Sequence, residues 1–129
     1  MFVVGVGIDL VDVDRFRASL ARTPSMVPRM FTEGERSYAE AASDPTERFA
    51  VRFAAKEAVM KALGVGLGAF GFHDVEVLRD AGGRPGLGIY GPAELLALER
   101  GVIGWQISLT HTATSAGAVV LALSAPPER

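Results

Sequence analysis

The pattern of apolar and polar positions predicts strands near both ends of the chain and a long helix near its centre. Residues 2–10, 75–79, 87–90, 105–111 and 117–123 are short runs rich in valine, leucine and isoleucine, typical of strands. Helices are predicted from residue 12 or 14 to 23, and over 32–42, 44–64 and 91–101, because these stretches begin at capping residues or prolines. Residues 125–129 are expected to form a frayed tail.

The central helix carries the side chains on which a functional hypothesis depends. Glu57 falls on the same side of the helix as Phe53 and Met60, and Lys61 lies one turn further on. Burial of an unpaired carboxylate among apolar neighbours is costly. Two interpretations are open. Glu57 and Lys61 form a structural i, i+4 pair, or Glu57 acts as a metal ligand or base while Lys61 serves an anion.

The first predicted strand has an apolar side and a side with two glycines and a carboxylate. Its apolar side consists of Phe2, Val4, Val6, Ile8 and Leu10. Gly5, Gly7 and Asp9 occupy the other side. The glycines either leave room for a ligand to approach the backbone or mark a bulge or twist in the strand.

Composition excludes several classes of protein. The chain has 129 residues, 49% hydrophobic and 22% charged, which favours one globular domain over residues 1–129. It has no cysteine, which excludes a disulfide framework, a thiolate zinc site and a cysteine nucleophile. The net charge of −2 does not suggest a general nucleic-acid-binding protein. The N-terminus lacks a basic leader and is interrupted by Asp9, so no signal peptide or membrane span is predicted and a cytoplasmic location is expected.

Positive charge is concentrated in one segment of this mildly acidic chain. Arg15, Arg17, Arg22 and Arg29 occur with no acidic residue between Arg15 and Thr32. Such a segment is either the solvated face of a helix or a surface for an acidic partner.

His111 is predicted to lie where a strand ends in a cluster of hydroxyl residues, a common position for functional groups. The alternative is a partly exposed histidine that hydrogen bonds to nearby backbone.

The glycines of the 64–68 loop close a helix rather than open one, so they do not form a dinucleotide-binding loop. Any metal site would rely on carboxylates, which suit Mg²⁺ completed by water and phosphate oxygens.

Three segments together resemble one family. They are Gly7-Ile8-Asp9-Leu10-Val11-Asp12, then Arg52-Phe53-Ala54-Ala55-Lys56-Glu57-Ala58 with Lys61-Ala62-Leu63-Gly64, and Ile107-Ser108-Leu109-Thr110-His111-Thr112. In order and spacing they resemble holo-acyl-carrier-protein synthase, the small bacterial class of 4′-phosphopantetheinyl transferases. The resemblance implies an α+β fold with a small antiparallel sheet packed against a long central helix and several shorter helices. It also implies transfer of 4′-phosphopantetheine from coenzyme A to a serine of apo-acyl carrier protein, with 3′,5′-adenosine bisphosphate as the by-product.

The resemblance also implies roles for individual residues. Mg²⁺ ligands are expected at Asp9 and Glu57. The expected catalytic residues are Glu57, Lys61 and Asp9, with Lys61 near the pyrophosphate. Coenzyme A is expected to contact Arg52, Lys61, Gly64, Gly66, His111 and Thr112. The acidic carrier protein is expected to dock near Arg15 and Arg22. The family assembles as homotrimers, with Asp9, Glu57 and Lys61 from one chain meeting His111 from its neighbour. Relatives often have Gly-Thr-Gly where this chain has Gly64-Val65-Gly66, so a side-chain contact to the nucleotide there is in doubt.

Two alternatives to this enzyme are considered: a coenzyme A-binding scaffold without chemistry, and a different Mg²⁺-dependent phosphate-transfer enzyme. The presence of Asp9, Glu57 and Lys61 argues against the scaffold.

In the expected reaction, the proton of the carrier serine is taken either by Glu57 or by a metal-held water. The sequence does not specify which type of carrier protein is served or whether acylated coenzyme A is accepted.

Overall fold

The computed structural model describes residues 1–127, so the last two residues of the predicted tail lie outside the described range. The strands are β1 (Phe2–Asp12), β2 (Val75–Arg79), β3 (Pro85–Ile89), β4 (Val102–His111) and β5 (Ser115–Ser124). The helices are α1 (Val13–Arg22), α2 (Met26–Met30), α3 (Glu33–Glu40), α4 (Thr46–Ala62) and α5 (Gly91–Glu99), with a 3₁₀ turn at Phe72–Asp74. None of these helices combines the length and apolar character needed to span a bilayer.

A three-stranded antiparallel sheet with the order β1-β5-β4 packs against the long helix α4, as the family resemblance implied. The inward face of the central strand β5 consists of small or branched apolar residues, Ala116, Ala118, Val120 and Ala122, all buried. These small side chains allow α4 to lie close to the sheet, and helix alanines such as Ala54 and Ala58 are fully buried there. Strands β2 and β3 form a separate antiparallel pair.

Gly5 and Gly7 do not leave room for a ligand. A Cβ atom at Gly7 would lie 1.7 Å from the carbonyl oxygen of Ala58, and one at Gly5 would lie 1.9 Å from that of Ala62. The space beside both glycines is therefore filled by the backbone of α4, and the first of the two interpretations is wrong. The alternative is confirmed at one position, since the register of β1 against β5 shifts between Val3 and Gly5.

The apolar side of β1 faces away from α4. Val6, Ile8 and Leu10 are 58%, 64% and 73% exposed in the single chain. Val6 pairs with Leu121 and Ile8 with Val119 on β5, so the exposed apolar residues continue onto the neighbouring strand. A monomeric protein rarely leaves a patch of this kind in water.

The predicted caps are present at the starts of two helices. Asp12 accepts a hydrogen bond from the amide of Arg15 at 2.8 Å and begins α1. Thr32 and Glu35 form the predicted capping box of α3. The sequence pattern did not predict the short helix α2, which follows the break at residues 23–25 and has no side-chain cap.

Candidate active site

Asp9 and Glu57 lie in one cavity of about 460 Å³ between β1, α1 and α4. This carboxylate cavity is lined on its apolar side by Phe16, Met26 and Phe53. Asp9 lies on the inward side of β1, two residues beyond Gly7, where that strand runs against α4. The close contact made possible by the glycines therefore brings a strand carboxylate to a helix carboxylate.

Lys61 pairs with Asp9 rather than with Glu57. Its Nζ donates to Asp9 Oδ1 at 3.1 Å and to the carbonyl oxygen of Ile8 at 2.9 Å. The i, i+4 pair is thus replaced by a cross-element pair, in which Asp9 is 17% and Lys61 52% exposed in their side chains. The Lys61 side chain is half-exposed, so its charge is accessible to a bound anion.

The pKa of Glu57 is raised above its ordinary value. Partial burial is the main cause, the nearby charge of Asp9 adds to it, and Lys61 opposes it. Two carboxylates in one partly buried cavity destabilise each other, and a cation between them would relieve that repulsion.

A second cavity of about 480 Å³ contains Arg52 and His111. Arg48 and Arg79 also line it, and none of these three arginines pairs with a carboxylate among residues 1–127. Arg52 is almost completely buried, and its Nε atom has no hydrogen-bond partner within the described residues 1–127. Burial lowers the pKa of Arg52. Asp44 and Glu47 also line this arginine cavity, so its three arginines leave a net positive charge, which suits an anionic ligand.

His111 contacts Glu47 in the arginine cavity through its Nδ1 atom. It lies on β4, and Asp9 lies on β1, so the two expected site residues are on opposite edge strands with β5 between them. Thr112 shapes the turn after His111. Its Oγ1 accepts from the amide of Ser115 at 3.0 Å, while its amide donates to the Ser115 carbonyl at 2.7 Å.

Gly64 and Gly66 lie just beyond the end of α4, close to Lys61 but outside the two cavities. Gly64 has a φ of 72°, which favours glycine as the residue that ends the helix. Val65 between them turns inward and packs against the core. The residue that differs from Gly-Thr-Gly relatives is therefore used for packing.

Sequence reasoning missed several charged residues. Lys56 is completely buried and pairs with Glu35 at 2.8 Å. Its ammonium also donates to the carbonyl oxygens of Phe72 and Val75, which ties α4 to the 3₁₀ turn and β2. Arg79 was missed as well, and so was the uncharged Tyr38, because their contacts with α4 are made between separate elements. The charges of Lys56 and Arg79 were visible in the sequence, but their partners were not.

The two carboxylates fit Mg²⁺ as a partial ligand set. Within residues 1–127 no group of three or more histidine, cysteine or acidic side chains is arranged to hold a metal ion. Asp9 and Glu57 would therefore supply two hard oxygen ligands, and water and substrate oxygens would supply the remainder, as is usual for Mg²⁺.

Comparison with known proteins identifies the family to which this chain is similar. Residues 5–122 match the model of the 4′-phosphopantetheinyl transferase superfamily. A holo-[acyl-carrier-protein] synthase from Frankia casuarinae is 51% identical over 122 residues, which cover 95% of this chain and 98% of that protein.

Two solved structures share the architecture. The holo-[acyl-carrier-protein] synthase from Neisseria meningitidis superposes with a TM-score of 0.87 at 28% identity, covering 95% of this chain and all of that one. The holo-(acyl-carrier-protein) synthase from Bacillus anthracis, solved in complex with CoA (3′,5′-ADP), gives a TM-score of 0.79 at 34% identity, covering 97% of this chain and all of that one.

Proposed function

Because the chain belongs to the holo-[acyl-carrier-protein] synthases of the 4′-phosphopantetheinyl transferase superfamily, we propose that its two cavities hold the two ends of the coenzyme A substrate. The protein is a phosphopantetheinyl transferase that moves phosphopantetheine from coenzyme A to acyl carrier protein. This conclusion disfavours both alternatives, the scaffold without chemistry and the unrelated phosphate-transfer enzyme. The proposal concerns which residues perform the reaction.

The observation that carries the proposal is that Asp9 and Glu57 line one cavity while Lys61 donates a hydrogen bond to Asp9. In the transfer, the oxygen of a carrier serine bonds to the phosphorus of the phosphopantetheine group. The bond from that phosphorus to the pyrophosphate bridging oxygen breaks, and 3′,5′-adenosine bisphosphate leaves. The reaction requires neutralisation of phosphate charge and alignment of the serine with the leaving oxygen. Lys61 supplies a positive charge beside Asp9.

We assign Asp9 and Glu57 as the protein ligands of Mg²⁺. When bound, the ion would polarise phosphate oxygens and offset their charge. We also propose Glu57 as an acceptor of the serine proton. A metal-held water remains the alternative acceptor.

Substitution of the carboxylates tests this assignment. Asp9→Asn and Glu57→Gln should each reduce transfer at least about a hundredfold, since charge neutralisation supplies several kcal/mol to this type of step. Mass spectrometry of apo-carrier incubated with coenzyme A and Mg²⁺ measures the transfer. Asp14→Asn serves as the matched control, because Asp14 is exposed and pairs with Arg17 outside the cavity. Calorimetric titration of Mg²⁺ into each variant with coenzyme A present provides a readout independent of activity. Full activity in either variant or in excess chelator contradicts the assignment.

We propose that the arginine cavity binds a phosphate-bearing part of coenzyme A through Arg52 and His111. Two observations support this location: the buried Nε atom of Arg52 has no hydrogen-bond partner among residues 1–127, and none of the three arginines pairs there with a carboxylate. Gly64, Gly66 and Thr112 are proposed as additional contacts, through the helix-ending loop and the turn that follows His111.

The carrier is proposed to dock beside the carboxylate cavity. Arg15 lines that cavity, and Arg22 lies at the far end of the same helix, α1. Neither is paired with a carboxylate among residues 1–127, whereas Arg17 is held by Asp14 and Asp44. An acidic carrier would therefore meet free positive charge at the entrance used by its serine.

A homotrimer is proposed as the working assembly. The exposed apolar residues Val6, Ile8 and Leu10 and their continuation onto β5 provide a surface that a second copy would cover. In this assembly His111 of one chain approaches Asp9, Glu57 and Lys61 of the next. That arrangement accounts for the distribution of expected site residues between two edge strands.

Mixed trimers test the shared site. Glu57→Gln and His111→Ala are made separately, and each is shown to be nearly inactive. When the two are dissociated, mixed and reassembled, some interfaces contain both intact residues, so part of the activity should return. Native mass spectrometry verifies that mixed trimers formed. If they form without activity, the shared site is rejected, and if His111→Ala alone is active, the role of His111 is wrong.

The domain organisation and the cellular location stay predictions. Residues 1–129 are proposed to form a single domain, supported by two core clusters that share Val11, Phe72 and Leu109 as neighbours. A cytoplasmic location is proposed from family membership.

A further inference from the structure

Three guanidinium groups surround one aromatic ring beside the arginine cavity. The Cζ atoms of Arg48, Arg52 and Arg79 lie 4.2, 4.4 and 4.7 Å from the ring centroid of Tyr38. The ring comes from α3, two of the arginines from α4 and the third from the end of β2. Tyr38 is thus the common contact of three cations on two separate elements.

Mutual repulsion opposes this arrangement. Arg48 and Arg79 both act to lower the pKa of Arg52, as expected for like charges held close together. No carboxylate bonds to any of the three among residues 1–127. Long arginine side chains at a surface otherwise spread into water, where they keep their rotamer freedom. The negatively charged face of an aromatic ring offsets part of this repulsion when a cation lies within about 6 Å of the centroid.

The backbone of Tyr38 assists the ring. Arg48 Nη1 donates to the Tyr38 carbonyl at 2.7 Å, and Arg52 Nη1 donates to the Arg48 carbonyl at 3.2 Å. These bonds do not depend on the Tyr38 side chain, and among residues 1–127 Arg79 has no such bond to replace the ring contact. Arg52 Nε is left buried and unpartnered at the cavity that Tyr38 lines.

We propose that Tyr38 is a positioning residue for coenzyme A, whose ring holds Arg48, Arg52 and Arg79 together at the arginine cavity before the substrate arrives. This inference rests on the proposed binding of coenzyme A in that cavity. Tyr38 acts through the guanidinium groups and takes no part in the chemical step. Its ring, not its hydroxyl, is the part that matters.

Steady-state kinetics of four variants test this role. Tyr38→Leu removes the ring and should raise KM for coenzyme A about tenfold, which corresponds to about 1.4 kcal/mol. The value of kcat at saturating coenzyme A and KM for the carrier should stay within about threefold of wild type, because the carboxylate cavity is untouched. Tyr38→Phe keeps the ring and should retain the wild-type KM. Tyr90→Leu is the matched control, since the only other tyrosine of the chain lies outside the arginine cavity and bonds to Glu76.

The fourth variant shows whether an effect of Tyr38→Leu comes from loss of the aromatic ring or from loss of folding. Tyr38→Met fills similar space without an aromatic face and should behave as Tyr38→Leu does, with wild-type thermal unfolding as the check of structure. An unchanged KM in the folded Leu or Met variant, equal losses in all kinetic constants, or a defect in Tyr38→Phe as large as that of Tyr38→Leu overturns the inference. It is also overturned if neither Leu nor Met variant folds, because the ring is then a structural requirement.

Arg52→Ala separates this inference from the assignment on which it depends. If Arg52→Ala leaves KM for coenzyme A unchanged, the arginine cavity does not bind coenzyme A. The proposed function of that cavity and the positioning role of Tyr38 are then both wrong. If Arg52→Ala raises KM and Tyr38→Leu does not, only the positioning role of Tyr38 fails.

Discussion

Substitution of Gly7 by alanine should damage stability and catalysis together. The added Cβ would lie 1.7 Å from the Ala58 carbonyl oxygen and 2.9 Å from the Ala62 amide nitrogen. Increasing the first distance to the 3.4 Å of ordinary contact requires β1 and α4 to separate by about 1.7 Å. The clashing atoms are backbone, so no rotamer change relieves them.

The magnitude follows from the loss of packing. A gap of 0.5–1 Å already removes roughly a quarter to a half of the attraction between facing atoms. Overpacked core substitutions typically cost about 1–3 kcal/mol, and a backbone clash belongs at or above the upper end. We therefore expect a loss of about 3 kcal/mol or more, and a fall in Tm of roughly 12 °C for a chain of this size.

The rate of transfer should fall as well. Glu57 directly precedes Ala58, which is displaced, and Asp9 lies two residues after Gly7 on the strand that moves. A misplacement of about 1 Å between reacting groups costs about a hundredfold in rate. Calorimetry measures Tm, and mass spectrometry of the carrier measures transfer. Gly86→Ala is the matched control, since a Cβ there meets nothing within 4 Å. A Gly7→Ala protein within about 3 °C of the wild-type Tm, and with transfer within twofold, refutes the close-contact argument.

Three further predictions concern charge. Reversal of Arg15 and Arg22 to glutamate should raise KM for the carrier at least about tenfold with little change for coenzyme A, and equal effects on both substrates contradict docking there. Lys56→Met leaves the buried carboxylate of Glu35 without its cation and should lower the free energy of unfolding by about 3–5 kcal/mol. Urea unfolding measures this change, and a loss below about 1 kcal/mol contradicts the prediction. Hydrogen bonds from the Thr46 hydroxyl and amide lower the pKa of Asp44, so its contribution is present above the ordinary pKa and lost as pH falls through the folded value. Asp44→Asn should therefore reduce the loss of Tm on acidification, and an unchanged pH profile is the contrary result.

Local patterns were sufficient to predict most of the elements. The caps at Asp12 and Thr32 depend on side chains and amides within three residues, so their hydrogen bonds can be inferred from spacing alone. The short helix α2 has no such cap, and five residues are too few for a periodic pattern. Its existence depends on tertiary packing, which Met30 provides by being buried in the core.

Alternation identified the two sides of β1 but not which side is buried. The side with Val6, Ile8 and Leu10 is the more hydrophobic, yet α4 packs on the side with Gly5 and Gly7. The distance between strand and helix decides this, because only residues without a Cβ allow the two backbones to approach so closely. Hydrophobicity along one strand contains no information about that distance.

The sequence suggested which charged side chains to consider for the site, but it did not indicate how they pair. Local spacing suggested that Lys61 partners Glu57, whereas the fold brings Asp9 within 3.1 Å from a strand fifty-two positions earlier. Lys56 was overlooked for the same reason, since its partner Glu35 lies on another helix. Ion pairs between elements depend on how the elements pack, and one sequence without an observed fold does not fix that packing.

The distribution of charge within one chain gives a physical reason for the proposed trimer. The carboxylate cavity opens beside β1, the arginine cavity lies beside β4, and β5 separates these strands by about two strand spacings, or roughly 10 Å. A head-to-tail interface that closes with threefold symmetry would bring the β4 side of one copy to the β1 side of the next. Each interface would then complete one site while covering the apolar residues that a single chain leaves in water. In this arrangement, assembly and substrate binding both stabilise the same interface between chains. Substitutions at Glu57 and at His111 then lie on opposite sides of that interface.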